Sequence, residues 1–189
     1  LKSVANGKYV KVDLNNGGVL KASSNSISSS EAFILTKIDK SLQKNRQEEM
    51  KDILREGKYY LIAAANHQVV CAEECGTAAI SATRAAYGGS WEAFYVVRND
   101  DGSISLKSKA NGLYVCAVLN SIGELRPKSD KIQAWETFIP VRINETQYGL
   151  LSKANGKFVK VDLSNGAKLI ASSDFIAGSW EAFTFVTVD

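Results

Sequence analysis

Short runs of alternating apolar and polar residues carry most of the chain. The clearest, Lys8-Tyr-Val-Lys-Val-Asp13, places Val10 and Val12 on one face and Tyr9, Lys11 and Asp13 on the other, the period-2 pattern of a half-buried strand. Its counterparts pair Val70 with Ala72, Val115 with Ala117 and Val159 with Val161, small residues that suit a core. Asn-Gly precedes three of these strands, and Asn66-His67 precedes the other. Asn and Gly both tolerate positive φ, so a tight turn is predicted at each place. A third strand is predicted at Val19–Ala22, Ala79–Ala82, Glu124–Pro127 and Lys168–Ala171. A fourth is predicted from each following aromatic, at Phe33–Thr36, Phe94–Val97, Phe138–Val141 and Phe183–Val186.

The strands belong to a repeat. Leu1-Lys-Ser-Val-Ala-Asn-Gly-Lys-Tyr-Val10 returns from Leu106 and from Leu150, and in degenerate form from Leu61. Each copy closes on one phrase: Ser30-Glu31-Ala32-Phe33, Trp91-Glu92-Ala93-Phe94, Trp135-Glu136-Thr137-Phe138 and Trp180-Glu181-Ala182-Phe183. Copies two to four follow one another at about 44 residues, as expected for a fixed-period array of supersecondary units. Four short strands per unit predict an all-β chain. The predicted architecture is a β-trefoil, a closed barrel of three units with three hairpins over one end, which leaves no sheet edge exposed.

Residues 40–56 interrupt the pattern. Leu42, Met50, Ile53 and Leu54 fall on one helical face, Ser41 can cap the start and Gly57 the end, and the charges balance. One short helical insertion is therefore predicted. The expected organisation is an extra trefoil repeat at 1–38, a helical connector at 39–57 and a complete three-repeat trefoil at 58–189. Copy one most resembles copy four, as the last third of one trefoil would resemble the last third of the next. The alternative has copies one to three forming the barrel, with copy four exchanged or docked elsewhere. A lone third has unpaired edges, so homodimerisation through repeat exchange is expected of it.

Composition narrows the function. Of 189 residues 45% are apolar and 23% charged, which excludes wholesale disorder. The net charge of +3 is too balanced for a nucleic-acid surface, and no nucleic-acid partner is expected. No apolar run approaches the ~18 residues of a membrane helix, so no membrane partner is expected either. One histidine, His67, excludes metal or triad chemistry that needs two, and neither cofactor nor metal is predicted. Cys71 and Cys116 occupy matching repeat positions and read as half-buried thiols rather than a nucleophile. Asn144-Glu145-Thr146 is a glycosylation sequon, with meaning in a eukaryotic secretory route.

The Lys-Ser-x-Ala-Asn-Gly-x-Tyr/Phe-Val openings and the Gly-Ser-Trp-Glu-Ala-Phe closings at Gly89–Phe94 and Gly178–Phe183 resemble the fascin-like β-trefoils. The Tyr114-Val-Cys-Ala117 wording looks like bacterial fascin-like modules of polysaccharide-degrading proteins. The resemblance covers every repeat and departs at Ser30, where the others have Trp, at His67, and in the fourth unit. It implies a trefoil that binds either polysaccharide or actin. It also implies an extracellular setting for a bacterial sugar-binding module and a cytoplasmic one for an actin binder.

Two sets of residues are candidates. The outer face of the second strand offers an aromatic near a carboxylate, a pairing that suits a sugar ring and its hydroxyls: Tyr9 with Asp13, Glu73, Tyr114, and Phe158 with Asp162. The same residues also suit packing against the next unit and pairing with a nearby Lys. Trp91, Trp135 and Trp180, each beside Glu92, Glu136 or Glu181, are expected to be structural. The rings would plug the barrel floor or unit junction, with the carboxylates held by backbone amides. The favoured function is a non-catalytic, lectin-like carbohydrate-binding module, standing alone or attached to a glycoside hydrolase, with a poly- or oligosaccharide as partner. The alternative is an actin-binding or other protein-interaction domain, using lysines such as Lys107, Lys109, Lys153, Lys157 and Lys160. Catalysis is disfavoured because every candidate acid recurs by repeat.

Overall fold

The computed structural model describes residues 6–13, 19–26, 54–120 and 122–188; at 11–13, 19 and 21 the description is of backbone alone. The chain divides into two compact units, Leu1–Gln43 and Lys44–Asp189. The expected connector helix at 39–57 falls almost wholly outside the described residues, as does the Ser30-Glu31-Ala32-Phe33 phrase.

In the first unit β1 (Tyr9–Asp13) pairs antiparallel with β2 (Val19–Ser24). Among its described residues the second unit holds twelve strands in one sheet. They run β3 (Gly57–Ala63), β4 (Val69–Ala72), β5 (Ile80–Arg84), β6 (Ala93–Arg98), β7 (Ile104–Ser108) and β8 (Tyr114–Val118). There follow β9 (Glu124–Ser129), β10 (Phe138–Arg142), β11 (Gln147–Ser152), β12 (Phe158–Asp162), β13 (Lys168–Ser173) and β14 (Phe183–Thr187).

Pairing closes a ring. β3 pairs β6, β6 pairs β7, β7 pairs β10, β10 pairs β11, β11 pairs β14, and β14 returns to β3. The remaining six strands make the hairpins β4–β5, β8–β9 and β12–β13, and β13 touches both β5 and β9. A closed ring capped by three mutually contacting hairpins is a β-trefoil, and closure leaves its barrel strands without a free edge.

The core follows the pattern of the sequence. Phe94, Phe138 and Phe183 are at most 1% exposed, and Leu61, Leu106 and Leu150 are buried beside them. From the hairpins Val70, Ala72, Val115, Ala117, Val159 and Val161 enter the same cluster.

One local device recurs at every second strand, copy one included. Asn6, Asn66, Asn111 and Asn155 each donate Nδ2 to a hairpin carbonyl 16 residues on, at 2.9 Å. Each Oδ1 accepts the backbone N–H two residues ahead, at 3.0–3.1 Å. The Asn therefore clamps the turn to its hairpin, beyond merely tolerating a turn conformation. The residue after it is left-handed: Gly112 at φ 72°, and His67 at φ 58° where the others have Gly.

Candidate functional site

The Trp-Glu-x-Phe phrase divides its residues by environment. The Trp lies inside a 3-10 turn, Ala134–Glu136 or Ser179–Glu181, and the backbone returns to the extended form at Thr137 (φ −113°, ψ 131°) and Ala182 (φ −105°, ψ 131°), so the following Phe opens a barrel strand and enters the core while the Trp turns outward. Trp135 is 47% and Trp180 42% exposed, and Trp91 is half-buried. The expectation of buried plugs is thus not met at Trp135 and Trp180; the Phe side chains fill that place. The Trp180 ring lies 5.8 Å from Lys160 Nζ, and Trp91 lies 5.7 Å from the Arg84 guanidinium. Glu136 and Glu181 are buried. Glu136 accepts the Gln133 N–H (3.0 Å), Glu181 those of Ala177 and Gly178 (3.1 and 3.2 Å), and Glu92 that of Gly89 (3.0 Å).

The candidate acids are held by near neighbours. Glu73 accepts from Thr83 Oγ1 (2.6 Å) and pairs with Arg84 (2.6 Å). Burial pushes its carboxyl up, but the Thr83 and Ser81 hydroxyls and the Arg84 charge together hold it below the ordinary range. Asp162 accepts the Ser164 N–H and hydroxyl, capping the 3-10 turn Leu163–Asn165. Tyr9 and Phe158 are half-buried, and the side chain of Asp13 lies outside the described atoms. Cys71 and Cys116 are buried, and burial first of all pushes both thiols up to about 11. Among the described residues no group of His, Cys, Asp and Glu is placed to hold a metal ion.

Tyr114 is where an opening forms. An open groove of about 590 Å³ lies over β6, β7 and the start of β8. Strand register builds it: Tyr95 on β6 is opposite Lys107 on β7, and Lys107 is opposite Tyr114 on β8. Residues paired across adjacent strands point to the same face, and neighbouring strands lie ~4.8 Å apart, so the three side chains form one row. Lys107 Nζ stands 5.4 Å from the centre of the Tyr114 ring, within cation–π range. Tyr95 is 40% exposed. Glu56 and Lys109 complete the polar rim. Tyr95 escapes a reading made strand by strand, because it comes from the fourth strand of one repeat while Tyr114 opens the second strand of the next. Its signal was the exposed position directly after the core Phe94.

No family model matches the chain, and no curated protein matches it. Among solved structures, it is similar to the designed 3-fold symmetric protein ThreeFoil, with 20% identity and a TM-score of 0.61 over 70% of this chain and 99% of that one. It is similar to 1,3Gal43A, an exo-β-1,3-galactanase from Clostridium thermocellum, with 16% identity and a TM-score of 0.60 over 70% of this chain and 30% of the galactanase. It is similar to a Polyporus squamosus lectin bound to the epitope Neu5Acα2-6Galβ1-4GlcNAc, with 15% identity and a TM-score of 0.60 over 72% of this chain and 50% of the lectin. At such identities the likeness is one of fold, and the fold of this chain is the β-trefoil.

Proposed function

We propose that this trefoil is a non-catalytic module that binds a saccharide in the groove between Tyr95 and Tyr114. The observation that carries the reading is the Tyr95–Lys107–Tyr114 row, which sets two aromatic faces and a fixed polar group along one concave surface. Aromatic faces cover the C–H faces of a pyranose, and the polar rim supplies hydrogen bonds to its hydroxyls. The solved structures of like fold include a lectin and a galactanase, which supports a sugar as the ligand class. The sequence resemblance to fascin-like modules of polysaccharide-degrading proteins points the same way. A non-catalytic role is favoured by the state of the acids: Glu73 is paired, Asp162 caps a turn, and Glu92, Glu136 and Glu181 bind backbone amides.

The actin reading draws less support. Of the lysines it would use, Lys153 is paired with Asp101 and Lys157 with Asp174, which leaves Lys107, Lys109 and Lys160 without a carboxylate partner among the described residues and so less uncompensated charge for an acidic filament. A glycan array run beside actin cosedimentation tests the proposal. Glycan binding that is lost in Tyr114→Ala, with the melting temperature near that of the parent, is the expected result. Binding to filaments with a blank array would sink the saccharide reading.

A further inference from the structure

The three barrel–hairpin junctions have the same register and different chemistry. Where one has Tyr95, Lys107 and Tyr114, the next has Ile139 opposite Leu151 and Leu151 opposite Phe158. The third has Thr184 opposite Ile62 and Ile62 opposite Val69. Only the first row combines hydroxylated rings with a cation. The fold repeats the place three times, and the side chains equip it once.

The charge of that one place is also lopsided. Lys107 and Lys109 both line the groove, and neither has a carboxylate partner among the described residues. Lys153, Lys157 and Lys168 each have one. The groove's carboxylate, Glu56, accepts the backbone N–H of Arg98 at 3.0 Å. Two cations against the single carboxylate of Glu56 among the groove's described lining residues, beside two aromatic side chains, complement an anion attached to a ring. Resting on the saccharide reading, we infer that the ligand is an anionic saccharide, and that the Tyr95–Tyr114 groove is its one site in the trefoil. Lys107 and Lys109 hold its carboxylate or sulfate, and Tyr114 carries the sugar face.

Calorimetric titration of the full chain with matched hexasaccharides tests this: a neutral galactan, a galacturonan and a sulfated galactan. The anionic ligands should bind about tenfold tighter than the neutral one at 50 mM NaCl, and the difference should collapse by 500 mM as the charges are screened. Lys107→Gln and Lys109→Gln should each lose about threefold against the anionic ligands, within the range for one exposed ion pair, and almost nothing against the neutral one. Lys109 lies in an exposed turn, so its variant reads charge with the barrel intact. Phe158→Ala, at the equivalent position of the next junction, should bind as the parent does. Preference for the galacturonan or for the sulfated galactan identifies the group as carboxylate or sulfate, and either supports the inference. Equal affinity for neutral and anionic ligands would overturn it and leave the saccharide reading standing. An equal loss in Phe158→Ala would overturn the single site. Silence with all three sugars would overturn the saccharide reading, and this inference with it.

Discussion

Lys168 on β13 reaches Glu124 on β9, Nζ to Oε1 at 2.8 Å, across the boundary between two hairpins of the cap. Arg126 takes the other oxygen at 2.9 Å. Glu124 is only 7% exposed, and these two cations, Lys168 first, hold its carboxyl below the ordinary carboxylate range. A carboxyl lowered on folding stabilises the fold above its unfolded pKa of ~4.3 and loses that contribution as pH falls through the folded value. Glu124→Gln should therefore cost about 1–3 kcal/mol at neutral pH. The gap to the parent should close under acid, and urea melts of both proteins from pH 7 down to pH 3 would follow it. A constant gap across that range would remove the ion pairs as its cause.

The division within Trp-Glu-x-Phe is a stability prediction. Phe183 is fully buried, and Phe183→Ala should cost about 3–5 kcal/mol. Trp180 is 42% exposed, and Trp180→Ala should cost about 1 kcal/mol or less. Chemical denaturation of the two variants compares them directly, and similar losses would contradict the placement of the ring.

The thiols should separate by reactivity. Cys75 is exposed, while Cys71 and Cys116 are buried with pKa values pushed up to about 11. Only the thiolate attacks, so at pH 8 a thiol reagent should modify one cysteine of the native protein quickly and all three after unfolding. Three rapid equivalents in the native state would refute this burial.

His67 holds φ 58° where the matching turns have Gly, a backbone region that disfavours a Cβ. Relief of that strain outweighs the added freedom of the unfolded chain, so His67→Gly should stabilise by about 1 kcal/mol. A higher melting temperature by calorimetry is the check.

The strands and hairpins were legible because the signals are local. The alternation of Val159 and Val161, the Asn155-Gly156 pair and the repeat distance each lie within a few residues of what they specify. Closure into one sheet was legible from the count of units, since three four-stranded units complete the ring. Two things were not. The direction in which Trp135 and Trp180 point depends on a 3-10 turn that composition does not reveal, since a large ring beside a core Phe looks buried in a linear reading. The groove depends on register between repeats: Tyr95, Lys107 and Tyr114 are 12 and 7 residues apart and meet only because β6, β7 and β8 pair in that frame. Tyr114 was recognisable by its aromatic ring and Lys107 only as one basic residue among several. Nothing in the chain order marks them as neighbours of Tyr95.

The equivalence of the three junction rows also makes the valency of this trefoil adjustable. Ile139, Leu151 and Phe158 already occupy the register of Tyr95, Lys107 and Tyr114, so the substitutions Ile139→Tyr, Leu151→Lys and Phe158→Tyr would transplant the whole row without altering a strand. Two such rows on one rigid barrel would engage a polymer at fixed separation, and avidity would then grow with chain length rather than with the strength of any single contact.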